Sequence, residues 1–168
     1  MADRQMDAPL LQVRNLSTHF VTSEGVFRAV EDLSFSLSRG ESMGLVGESG
    51  CGKTTAMLSL LRLLPAAGRI VSGEVLLEGR DLLRLSEAEM REVRWRKLSM
   101  IFQGAMNAFN PVRTIGDQIA ETLVIHEMSP NLGVAQPRAS GLLEMVGIAG
   151  ARGCQYPHQY SGGMRQRA

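Results

Sequence analysis

The densest chemistry in the 168-residue sequence lies in eight consecutive residues, Gly47-Glu48-Ser49-Gly50-Cys51-Gly52-Lys53-Thr54. They fit the pattern G-x-x-x-x-G-K-[ST] at every fixed position. A triphosphate crowds several anionic oxygens together, so a loop that binds one must bring its backbone N–H groups close. Gly50 and Gly52 allow this because they lack a Cβ. Lys53 would bridge the β- and γ-phosphates as a mobile point charge, and the Thr54 hydroxyl would ligate Mg²⁺, with Thr55 completing the phosphate-contacting set. A helix starting at the loop adds its positive end. The pattern by itself does not separate ATPases from GTPases or small-molecule kinases, although the sequence carries no N/T-K-x-D base-reading motif of the GTPase kind.

Such a loop works only between a strand and a helix, and its flanks predict both. Ser42 to Val46 is a compact apolar run ending at a glycine, which suits a buried parallel strand. From Lys53 onward Met57, Leu58, Leu61 and Leu64 fall at helical spacing, and Pro65 stops the helix. Upstream, Leu10 to Val13 and Leu33 to Leu37 read as half-buried strands of an N-terminal sheet. Downstream, Val71 to Glu78 and Asp81 to Leu85 read as a hairpin, with Gly79 free to take positive φ in the turn. Ser86 with Glu89 has the spacing of a capping box. Leu98 to Phe102 reads as another buried strand, Gly104 to Val112 as a loop, and Thr114 with Asp117 as the cap of a helix bearing Ile115, Ile119 and Leu123. A second helix is expected over roughly 138–146, and a third opens at Met164.

A second constellation closes the sequence: Ser161-Gly162-Gly163-Met164-Arg165-Gln166-Arg167. It resembles the signature motif of ABC transporter ATPases, and Gln103 after Ile101-Phe102 resembles their Q-loop. The resemblance runs from Leu10 to Ala168. The wording around the motifs (GESGCGKT, IFQGAMNAFNPVRTIGDQI, YPHQYSGGMRQR) is most similar to the ATPase subunits of bacterial oligopeptide, dipeptide and nickel importers. The resemblance implies an α/β P-loop ATPase core with an N-terminal antiparallel β subdomain over about 1–103 and a partial helical subdomain over about 104–168. It implies ATP and Mg²⁺ as cofactors. It also implies a second ATPase subunit, identical or not, whose P-loop faces this signature. In that arrangement Ser161 supplies a hydroxyl and Gly162 and Gly163 supply N–H groups to the γ-phosphate. Gln103 would contact Mg²⁺ and the attacking water and serve, with Lys53, as a catalytic residue. An aromatic side chain before the first turn stacks on adenine in this family, and Phe20 is the best positional match, with Phe27 as competitor. Further partners implied are transmembrane permease subunits and, through them, an extracytoplasmic solute-binding protein, which places the ATPase on the cytoplasmic face of the membrane.

Composition agrees with that picture by exclusion. With 44% hydrophobic and 21% charged residues the sequence is that of a globular domain, and 168 residues suit one domain. A formal charge of +1 gives no electrostatic footprint for nucleic acid. Cys51 and Cys154 belong to no metal-ligand spacing and are expected as free thiols. His19, His126 and His158 are expected at the surface or in loops. Arg91, Arg94, Arg96 and Lys97 are expected to form a solvated helix face. After the signature the family pattern continues with an apolar strand ending in Asp-Glu, a D-loop and a switch histidine, and none occurs here. A truncated domain is therefore expected, one that places phosphates but lacks the glutamate that polarises water. The alternatives are a fragment that binds nucleotide or permease without turnover, and a non-transport relative acting on DNA or ribosomes.

Overall fold

The computed structural model describes residues 8–102 and 108–168. These fall into two compact units that part between Leu98 and Ser99.

The first unit is built on a four-stranded antiparallel sheet in the order β2-β1-β3-β4. Strands β1 (Leu11–Thr22) and β2 (Gly25–Leu37) form one long hairpin, and β3 (Gly68–Leu77) covers the other edge of β1. Leu11, Val13 and Leu16 of β1 and Val75 and Leu77 of β3 form the core with Leu60, Leu82, Met90 and Val93. The predicted alternation at Leu33, Phe35 and Leu37 is present, and all three pack on this core. The first strands run much longer than the apolar patterns that announced them, because polar residues such as Thr18 and Ser17 are also buried in the sheet.

The expected hairpin at Gly79 forms, with Glu78 at φ 51° and Gly79 at φ 79°. Its second strand β4, however, is only Arg80–Asp81. Asp81 then accepts from the Leu83 N–H and turns the chain into a 3₁₀ turn, Leu82–Arg84, so the predicted strand to Leu85 is absent. Helix α2 (Glu87–Val93) starts with the full capping box of Ser86 and Glu89. Arg94 is not part of a solvated face: it donates to the Leu61 and Arg62 carbonyls and pairs with Glu87.

Helix α1 (Lys53–Leu60) stops earlier than Pro65 demands. Arg62 takes φ 53°, its N–H reaches the Ser59 carbonyl at 3.0 Å, and Leu63 reaches Leu58 at 2.9 Å. This is a Schellman closure with arginine where glycine is usual. The Arg62 guanidinium holds it by donating to the Leu82 and Leu85 carbonyls.

The largest departure is at Ser42 to Val46. No strand forms there, and Val46 is 93% exposed. The segment has apolar residues but no ladder partner among the described residues, and a strand without neighbours leaves its N–H and C=O groups to water. Leu98 to Phe102 departs in the same way. Leu98 makes one bridge to Arg94, and Ile101 is 93% exposed.

The second unit is helical. Thr114 caps α3 (Ile115–Ile125) by accepting from the Asp117 N–H at 3.2 Å. Helix α4 (Leu132–Met145) begins six residues before the expected start, because Asn131 caps it and Pro137 is carried inside the helix. Segments Gly150–Cys154 and Pro157–Gln159 are 3₁₀ turns, and α5 (Gly162–Arg167) follows the Ser161 cap. Ile115, Leu143, Ile148 and Tyr160 form the core beneath α5, with Met164 packed against it.

Candidate functional site: the glycine-rich loop and the Ser-Gly-Gly turn

The loop Gly47–Thr54 is held by the hairpin. Between Thr18 and His19 the register of β1 against β2 shifts: Thr18 pairs with Val30 and His19 with Arg28, leaving Ala29 as an extra residue. A bulge of this kind turns the backbone aside. Here the Ala29 carbonyl lies against Gly52, where an added Cβ would come within 2.3 Å of the oxygen. Gly52 sits at φ 90°, caps α1, and accepts from the Ala56 N–H at 2.8 Å. Both steric room and backbone angle therefore require glycine at 52. Gly50, at φ 84°, has open space on its Cβ side.

Lys53 is half-buried at the first position of α1. Its ammonium donates to the Gly47 and Glu48 carbonyls at 2.6 Å each and to Cys51 Sγ at 3.4 Å. The loop thus folds around the one cation it carries. Gly47, Glu48, Ser49 and Thr54 are exposed, and Thr55 is half-buried. A cavity of about 230 Å³ lies between Val30 and Leu33 of β2 and Leu45, Cys51 and Lys53 beside the loop. A larger groove of about 560 Å³ runs along Arg62, Gly68, Arg69 and Ser72 and contains no loop residue. Its arginines are committed to backbone carbonyls, Arg69 to those of Ala66 and Gly68.

Two contacts that position the loop were not legible in the residue pattern. One is the Ala29 bulge, for which a single sequence offers no signal. The other is a buried hydroxyl pair, Thr18 Oγ1 and Ser59 Oγ at 2.8 Å, which ties α1 to β1 while Ser59 also donates to the Thr55 carbonyl. A serine at helical spacing between Ala56 and Leu60 was the available clue.

Phe20 and Phe27 are cross-strand partners, and such pairs project from the same face of a hairpin. Phe20 is half-buried with its ring over Gly68, and Phe27 is 61% exposed. His19 lies in β1 and not in a loop, and its Nε2 pairs with Glu31. His158 stacks on Tyr156 with ring centroids 5.7 Å apart. Both cysteines are free and exposed.

In the second unit Ser161 accepts from the Met164 N–H at 3.3 Å. Gly162 and Gly163 are exposed, with nothing within 4 Å of an added Cβ. The preceding Tyr160 is buried and donates to the Arg152 carbonyl at 2.9 Å, and that burial raises its pKa. At the start of α3, hydrogen bonds from Thr114 and then Gln136 hold the Asp117 carboxyl below the ordinary carboxylate range. Gln103 lies outside the described residues.

The order of these features along the chain, from glycine-rich loop to Ser-Gly-Gly turn, is matched by the profile of the ABC transporter family over residues 30–168. The chain belongs to the ABC transporter family. Its relatives include the probable peptide ABC transporter ATP-binding protein y4tR of Sinorhizobium fredii, 49% identical over 95% of this chain and 48% of its own. The dipeptide transport ATP-binding protein DppD of Bacillus subtilis is 45% identical over 94% of this chain and 48% of its own. This ABC-family chain therefore spans about half the length of the curated relatives it matches. The fold is shared with the dimeric structure of MJ0796, a bacterial ABC transporter cassette, at a TM-score of 0.79 and 23% identity over 94% of this chain and 66% of that one. Among the described residues no helix is long and apolar enough to cross a membrane.

Proposed function

We propose that this chain is the nucleotide-binding part of an ATP-hydrolysing subunit that drives an importer for peptides or a related small solute. The observation that carries the reading is the loop Gly47–Thr54 seated against the Ala29 bulge with Lys53 at its centre. Its residues fit a bound nucleoside triphosphate: Gly50 leaves the approach open, Gly52 lets the loop close on β2, and the Lys53 ammonium already sits among loop carbonyls that anionic oxygens would replace. ATP would supply the phosphoanhydride bond, and Mg²⁺ the positive charge that offsets its phosphate oxygens. Lys53 holds the β- and γ-phosphates, the Thr54 hydroxyl holds the metal with Gln103, and the N–H groups of the loop through Thr55 wrap the oxygens. Phe20 supplies a ring for the adenine.

Ser161, Gly162 and Gly163 present a hydroxyl and open N–H groups to the γ-phosphate on a second ATPase subunit. The permease subunits are membrane proteins that the chain touches from the cytoplasmic face, and a solute-binding protein delivers the cargo. Relatives named for dipeptide and peptide transport support the class of solute. The test is peptide uptake into vesicles reconstituted with the full-length subunit and its permease. Uptake should require MgATP, and Gln103→Ala should depress transport-coupled hydrolysis far more than ATP binding. Loss of ATP affinity in Gln103→Ala as severe as in Lys53→Ala would overturn the role given to Gln103, and MgATP-independent uptake would overturn the energy-coupling role.

A further inference from the structure

The two glycines at the start of α5 raise a mechanical question, since nothing lies within 4 Å of a Cβ at either position. They have no side chains with which to hold their own N–H groups in place. Three contacts do so from outside: the Ser161 cap, Met164 in the core beneath, and Arg167. Arg167 stands four residues after Gly163 and thus on the same side of the helix. Its Nε donates to the Gly163 carbonyl at 3.3 Å, and its Nη1 donates to the carbonyls of Val146 at 2.9 Å and Gly147 at 3.2 Å.

Those last two carbonyls end α4. The helix closes in a Schellman turn, with Gly147 at φ 72° bonded to Glu144 and Ile148 to Leu143, each at 2.9 Å. The closure leaves the Val146 and Gly147 carbonyls pointing out, where a cation is favoured by the end of a 14-residue helix. An added Cβ on Gly147 would meet Arg167 Nη1 at 2.9 Å, so glycine there also makes room for the guanidinium.

We propose that Arg167 is a positioning residue: it braces the first turn of α5 against the end of α4 and so fixes the aim of Ser161-Gly162-Gly163. The proposal rests on the reading of that turn as the surface that meets the γ-phosphate on a second subunit. The planar fork is what the job needs, because one side chain reaches a carbonyl on its own helix and two on another.

The experiment uses the full-length subunit with a non-hydrolysable ATP analogue. It compares nucleotide binding, nucleotide-dependent association of subunits by sedimentation, and thermal melting. Arg167→Ala should weaken association about tenfold, the size expected for losing a charged hydrogen bond, while nucleotide affinity of the isolated subunit stays unchanged. Arg167→Lys, which keeps the charge without the fork, should restore only part of the loss. Gly147→Ala approaches the contact from the other side, and its effect on association should vanish in the Arg167→Ala background. Unchanged association in Arg167→Ala, or additive effects in the double variant, would overturn the proposal. Gly162→Asp separates the two levels. If it abolishes association while Arg167→Ala does not, only the bracing role falls; if it has no effect, the reading of the turn falls and the brace with it.

Discussion

Two neighbouring segments of the first unit, Leu33 to Leu37 and Ser42 to Val46, look equally suited to be strands, and they end up in opposite states. In the first, Leu33, Phe35 and Leu37 pack on the core and the backbone pairs with Val13 and Leu11 of β1. In the second, Met43 is 45% and Val46 93% exposed, and no ladder forms. Apolar composition is the same argument in both. What differs is a neighbour: β2 has β1 one tight turn away, whereas 42–46 has no partner among the described residues. A strand is a property of a pair, because its backbone groups must be satisfied sideways.

Supplying a partner should turn the second segment into a strand like the first. In a chain extended to the full length of its relatives, amides of residues 42–46 should gain orders of magnitude in hydrogen-exchange protection, while those of β1 change little. Equal exchange at 42–46 with and without the extension would show that the segment is loose for another reason. A smaller effect contrasts two leucines. Leu16→Ala, at a fully buried site, should cost about 3 to 5 kcal/mol, and Leu45→Ala, 38% exposed, under about 1 kcal/mol by denaturant melts of the same chain. Comparable losses would mean that 42–46 is packed after all.

Smaller again is the contrast of two loop glycines. Gly52→Ala drives a Cβ into the Ala29 carbonyl and should cost about 2 to 5 kcal/mol. Gly50→Ala meets open space and should cost only the backbone strain of its positive φ, about 1 to 2 kcal/mol. Equal costs would remove the bulge from the account. The smallest effect lies in the second unit. Because its hydrogen bonds lower the Asp117 pKa, the carboxylate stabilises the fold above the ordinary carboxylate range and loses that contribution as pH falls through its folded value. Asp117→Asn should therefore lower the melting temperature slightly at pH 7 and not in acid below that range. A difference that persists in acid would point to a cause other than charge.

Much of the molecule was legible because the decisive interactions are local. The capping box at Ser86, the cap at Thr114 and the turn at Gly79 each depend on residues within four positions, and all formed as the sequence predicts. Helix α1 likewise begins at Lys53. What stayed hidden depends on distant partners. The end of α1 is set by Arg62 reaching Leu82 and Leu85, and the seat of Gly52 is made by a bulge more than twenty residues away. The same holds for Arg94, whose basic neighbours suggested a solvated face while its guanidinium closes the end of α1.

Whether the loop at 47–54 holds the triphosphate of ATP through Lys53 is decided by ATP binding and phosphate release in the full-length subunit carrying Lys53→Ala. Removing the only charge that the loop folds around should abolish turnover and weaken ATP binding, with the melting temperature close to that of the unsubstituted protein. Near-normal ATP turnover in the Lys53→Ala protein would contradict a phosphate-holding role for Lys53.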